Sequence, residues 1–113
     1  MVAQGAVPGR GDIVWINLYP QAGHAQTGRR LVLILSPKAY NEKVGLALCC
    51  PITNQRKGYP FEVALPAVGT VTGVILSDQV KCLDWRARQA EVCGLVPPDV
   101  VAEVLGKLGA LLA

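Results

Sequence analysis

The stretch LALCCPITNQRKGYPFEVAL, Leu46 to Leu65, falls into three parts. LALCCPIT, 46–53, is apolar and reads as a strand. Pro51 near its end argues for an edge or a bulge there, because proline donates no ladder hydrogen bond. TNQRK, 53–57, then places a hydroxyl, two amides and two cations in five residues, and Gly58-Tyr59-Pro60 turns the chain. Taken alone, that segment is a hairpin tip. FEVAL, 61–65, returns with Phe61, Val63 and Leu65 facing inward.

Working outward, GDIVWINLY (11–19) alternates. Val14, Ile16 and Leu18 take one face and Trp15, Asn17 and Tyr19 the other, the pattern of a half-buried strand. The ten-residue segment PQAGHAQTGR carries Pro20, Gly23 and Gly28, which mark a long loop rather than a tight turn. Such loops in small domains commonly carry function. LVLILS reads as a strand buried on both sides, and SPKAYNEKVG as a turn or short helix started by Pro37. TGVILSD, QVKCLDW and AEVCGLV supply further strands, with turns at PAVGT and at Arg86–Gln89.

The tail changes period. Val101, Val104, Leu105, Leu108, Leu111 and Leu112 recur at helical spacing, with Pro98 suited to the first helical position and Asp99 to the N-terminal end of the dipole. Gly106 and Gly109 cost about 1 kcal/mol each against alanine, so this helix is expected to depend on packing. The expectation is a single domain over 1–113. It is mainly β with a C-terminal helix: six or seven short strands around one core in a small, strongly bent barrel.

At 113 residues the chain has room for one modest core. Its apolar runs, such as Leu31–Leu35, are far short of the roughly 20 residues that span a bilayer. The start MVAQGAVPGRGD lacks a charged region followed by an apolar one, so a cytoplasmic protein is expected. With 51% hydrophobic and only 17% charged residues, some apolar surface should be shared, most simply in a homodimer. Cys49, Cys50, Cys82 and Cys93 form no CxxC pair and His24 is the one histidine, so no metal site is expected and the cysteines read as free, buried thiols. Residues 29–88 hold nine cations against four anions, while 89–113 hold one cation against three anions. The middle of the chain therefore suits an anionic partner.

Three polar segments lie beside strands: His24–Arg30, Thr53–Lys57, and Asp78–Lys81 together with Trp85–Arg88. They combine guanidinium forks, amides and aromatic faces, the mixture that single-stranded nucleic acid requires. GDIVWINLYP, GRRLVLILSPKAYNEKVG, CCPITNQRKGYPFEV and LSDQVKCLDWRAR, in that order, resemble the MazF/PemK family of toxin endoribonucleases from about Gly11 to Arg88, and the tail fits that family's terminal helix.

The resemblance implies an SH3-like or CcdB-like barrel and a homodimer. It also implies metal-independent, ribosome-independent cleavage of single-stranded RNA at short motifs without a cofactor, and an antitoxin whose flexible acidic tail fills the RNA groove. By position, Arg30 and Thr53 match the family's catalytic arginine and threonine. His24, Gln26, Gln55, Arg56, Lys57, Gln79, Lys81 and Arg86 are candidate RNA contacts, with Trp15 and Tyr19 as RNA platforms or dimer contacts.

Two departures from the pattern matter, at Ala25 and Leu31. Family members commonly read GSEQ where this chain has Gly23-His24-Ala25-Gln26, and a proline where Leu31 follows Arg30. The hypothesis is an attenuated enzyme, the acidic position having been lost. It predicts that Ala25→Glu cleaves RNA faster than the parent; equal rates would sink it. Two rival readings are a CcdB-like toxin that binds a topoisomerase without catalysis, and a small-barrel RNA-binding module. Neither needs Arg30 set beside Thr53.

Overall fold

A computed structural model describes residues 6–18 and 28–113. Among the described residues, seven strands and two helices run in the order β1 (Asp12–Asn17), β2 (Arg29–Ile34), α1 (Lys38–Val44), β3 (Ala47–Thr53), β4 (Glu62–Ala64), β5 (Val74–Leu76), β6 (Lys81–Leu83), β7 (Glu91–Leu95) and α2 (Pro98–Leu112). Every pairing is antiparallel. The sheet path is β4-β5-β3-β2-β1-β7, with β6 also on β3.

Strand β3 organises the sheet. One side pairs with β2, Val32 opposite Pro51 and Ile34 opposite Cys49. The other side pairs first with β6 through Ala47–Cys49, then with β5 through Ile52 and Thr53. Pro51 therefore lies in a central strand, not at an edge. It stands where the second side changes partner, a position that tolerates a missing donor. The hairpin reading of TNQRKGYP also gives way, because β5 lies between β3 and β4, and β4 pairs with β5 alone. The 53–61 segment is thus a connection that reaches past one strand.

Two apolar clusters replace the single core expected. Ile13, Leu33, Cys50, Ile75 and Val104 belong to one, which contains the α2 residues Val100 and Val101. Val14, Ile16, Val32, Cys49 and Trp85 belong to the other. Successive β1 residues enter different clusters, so β1 is buried on both faces over Ile13 and Val14 rather than half-buried. Asn17, expected on the outer face with Trp15, is fully buried, whereas Trp15 is 38% exposed.

Helix α1 begins after Pro37 and ends at Gly45 in the left-handed region (φ 80°), whose N–H bonds the Asn41 carbonyl. Buried Asn41 ties this helix to the sheet. Its amide nitrogen donates to the Pro8 and Ser36 carbonyls at 2.7 and 3.1 Å, and Trp85 Nε1 donates to its carbonyl at 2.9 Å. Helix α2 carries Pro98 at its start and Asp99 in its first turn, as its sequence predicts. Burial is confined to Val100, Val101 and Val104, while Leu105, Leu111 and Leu112 stay exposed. Lys107 Nζ donates to the Pro60 carbonyl at 2.6 Å, which fastens α2 to the turn after the polar loop. No helix among the described residues is long and apolar enough to cross a membrane.

Candidate functional site: a groove at the ends of β2 and β3

Antiparallel register brings the two principal candidates together. Ile16 pairs with Arg30, and Val32 pairs with Pro51. Continuing the second register by two residues sets Arg30 against Thr53, and both line one hollow of about 600 Å³. Ile16, Val32, Cys49 and Leu83 form apolar parts of its wall, and Gln79, Lys81 and Arg88 add polar groups. Arg29 and Arg30 belong to β2 and not to the preceding loop, so a strand fixes the backbone of Arg30.

Thr53 Oγ1 accepts the Gln55 N–H at 3.1 Å, which orients the hydroxyl and leaves its hydrogen to donate. The next residue is held as well, with Thr72 Oγ1 donating to Asn54 Oδ1 at 2.9 Å. Thr53 and Gln79 also line a second hollow of about 320 Å³, together with Gln55, Lys57, Tyr59, Glu62 and Leu76. The two hollows share these residues and so form one continuous surface.

Glu62 shapes the far wall. Its carboxylate oxygens accept the Lys57 and Gly58 N–H groups at 2.7 and 3.0 Å, a charge-assisted clasp that closes the polar loop. Tyr59 Oη donates to Asp78 Oδ1 at 2.9 Å, joining that loop to the segment carrying Gln79 and Lys81. A loop tied at both ends presents Gln55 and Lys57 at low entropic cost.

Candidate residues outside the two hollows are Arg56 and Arg86. Arg56 is exposed on the polar loop, and the Arg86 guanidinium lies 4.7 Å from the centre of the Trp85 ring, a cation–π contact. His24, Gln26, Ala25 and Tyr19 lie outside the described residues. Leu31, where the family pattern has proline, pairs with Trp15 and packs against the first apolar cluster.

Arg88 and Glu62 were not singled out from sequence. Arg88 lines the main hollow and donates through Nη1 to the carbonyls of Asn17 and Leu18. The WRAR motif contained it, but spacing alone does not say which arginine faces the groove. Cys49 lines the same hollow as a buried thiol. Burial first, then the neighbouring Cys50 and Cys82, push its pKa up to about 12 against the opposing pull of Arg88 and Lys81. It stays neutral near pH 7 and is no nucleophile. Cys82, expected to be buried, is exposed on β6.

The polar groups of the hollow are of the kind that bind an oxyanion. Two guanidinium groups, one hydroxyl, one amide and one ammonium line a partly apolar cleft, where charge interactions are stronger than in bulk water.

Known proteins share this sequence and fold. The Escherichia coli K12 "Endoribonuclease toxin MazF" is 44% identical over 106 residues, covering 94% of this chain and 95% of that protein. The crystal structure of MazF from Deinococcus radiodurans superposes with a TM-score of 0.84 at 57% identity, covering 95% and 97% of the two chains. A MazE–MazF complex structure from the same organism gives a TM-score of 0.84 at 51% identity, covering 96% and 97%. The model of the PemK-like, MazF-like toxins of type II toxin–antitoxin systems matches residues 9–112, and the chain belongs to that family.

Proposed function

We propose that the protein is a sequence-specific, metal-independent endoribonuclease that cuts single-stranded RNA without the ribosome. The observation that carries this reading is the meeting of Arg30 and Thr53, from separate strands, in one hollow with Gln79, Lys81 and Arg88. The similarity to the Escherichia coli endoribonuclease toxin supports it.

In the proposed reaction the 2′-oxygen of the substrate ribose attacks the adjacent phosphorus. The P–O5′ bond breaks, leaving a 2′,3′-cyclic phosphate and a 5′-hydroxyl. The 2′-hydroxyl proton passes to solvent water as the new bond forms, and the departing 5′-oxygen takes one up. Arg30 directs its guanidinium at the non-bridging oxygens, whose charge grows toward the phosphorane, and the Thr53 hydroxyl donates to the same phosphate. Arg30 also assists proton delivery to the 5′-oxygen through its hydrogen bonds, and is not assigned the role of general base. Lys81, Lys57 and Arg56 follow the backbone, while Gln55 and Gln79 address base edges.

The same donors suit the acidic flexible tail of a cognate antitoxin, a role supported by the likeness to the MazE–MazF complex. Exposed Tyr40, Leu48 and Leu105, with the bare end of α2, supply apolar surface for a homodimer. The proposed setting is the cytoplasm.

Incubating the protein with defined single-stranded RNA in excess EDTA tests the reading. The expected result is undiminished cutting at a short motif, with 5′-hydroxyl and cyclic phosphate ends. Loss of cutting in EDTA, 5′-phosphate ends, or binding without cutting would overturn it.

A further inference from the structure

The two arginines that open β2 do different work. Adjacent strand residues point to opposite faces. Arg30 lines the groove, and Arg29 enters a polar junction that does not. Arg29 Nη1 donates to Asn17 Oδ1 at 2.5 Å, and its Nη2 donates to Glu91 Oε1 at 3.0 Å and to the Gln89 carbonyl at 3.4 Å. Asn17 Nδ2 in turn donates to Gln89 Oε1 at 3.4 Å. Asn17 is fully buried, and the Arg29 and Glu91 side chains are 22% and 32% exposed, so this is more than a solvated surface pair.

The junction joins three pieces of backbone beside the groove. Asn17 and Arg29 are register partners on β1 and β2, one residue from the Ile16–Arg30 pair. Glu91 opens β7, and Gln89 precedes it with φ 52°, in the left-handed region. The Leu18 N–H donates to the Gly28 carbonyl, which ties the residue after β1 to the residue before β2. The link to Arg30 is direct: its Nη1 donates to the Arg29 carbonyl at 2.8 Å, so the group that Arg29 anchors is itself a contact of the groove arginine.

We propose that Arg29, braced by Asn17 and Glu91, is a positioning residue that fixes the end of β2 and thereby the direction in which Arg30 presents its guanidinium. The proposal rests on the groove being the cleavage site. It assigns Arg29 no contact with RNA.

The test is a double-mutant cycle in single-turnover cleavage at saturating RNA, with RNA affinity and melting temperature measured in parallel. Displacing a reacting group by about 1 Å can cost up to 100-fold, so Arg29→Met is expected to lower the cleavage rate by about 10-fold while RNA affinity stays within about twofold. In an Arg30→Ala background the same substitution should cost nothing further, because the residue it positions is gone. The melting temperature should fall equally in both backgrounds. Arg29→Lys keeps the charge but not the fork and should recover little of the rate. Glu91→Gln removes one brace with minimal change of shape and should lower the rate in the same sense, which keeps the test open if Arg29→Met folds poorly.

A parental rate for both Arg29→Met and Glu91→Gln would overturn the proposal. So would an equal loss in the Arg30→Ala background, which marks a general effect on the fold. A defect confined to RNA affinity would make Arg29 a ligand and overturn it as well. Failure of the cleavage-site reading looks different: Arg30→Ala would then cleave at the parental rate.

Discussion

Arg30→Ala is expected to lower single-turnover cleavage by about 10²–10³-fold, equivalent to about 3–4 kcal/mol of lost transition-state stabilisation. Arg30 is exposed at the end of β2, so its truncation leaves both apolar clusters untouched. The melting temperature should therefore stay near the parental value. RNA affinity should fall far less than the rate, because the phosphate gains charge chiefly as it approaches the phosphorane. The rate constant and its ratio to KM should then drop together, as expected for an interaction made in the transition state. Arg30→Lys should recover only part of the loss, since an ammonium supplies charge without two parallel donors. A cleavage rate within threefold of the parent in Arg30→Ala would remove Arg30 from the chemistry and leave the groove a binding surface.

The strands were legible because their periodicity is local. Alternation in FEVAL and the Leu31–Leu35 run report burial that a few residues can state for themselves. The order of strands in the sheet is not local. Nothing within TNQRKGYP says that β5 enters between β3 and β4, because that neighbour comes from residues 74–76. Pro51 misled for the same reason. A proline reads as an edge until the sheet is known to change partner beside it.

The site was legible to a similar depth. Arg30 and Thr53 were marked by resemblance, and antiparallel register accounts for how residues 23 positions apart share a hollow. The division of labour between Arg29 and Arg30 was hidden, since it depends on Asn17 turning inward and on Glu91 arriving from β7. Asn17 looked like a solvent-facing alternation partner. Its burial is sustained by hydrogen bonds with Arg29 and Gln89, which no short window of sequence contains. Glu62 hid in another way: in FEVAL it is the polar member of an alternation, and its clasp on Lys57 and Gly58 exists only once the loop closes.

Gly73→Ala is expected to destabilise the fold by roughly 3 kcal/mol, lowering the melting temperature by about 10 °C for a chain of this size. Two terms contribute. At φ +127° the backbone occupies a region that residues with a β-carbon rarely adopt. A β-carbon there would also stand 2.4 Å from the Thr53 carbonyl oxygen, which is backbone and cannot rotate away. Gly69→Ala separates these terms, because Gly69 also has positive φ (58°) but nothing within 4 Å of an added β-carbon. That control should cost only about 1 kcal/mol. The excess at Gly73 measures the clash, and its consequence reaches the groove. Thr53 pairs with Val74 on the neighbouring strand, so relief of the clash must move the end of β3 that carries the Thr53 hydroxyl. Under conditions where Gly73→Ala remains folded, cleavage should drop by about 10-fold or more, while Gly69→Ala cleaves normally. If the two variants melt together and cleave alike, close approach at Gly73 does not set the position of Thr53.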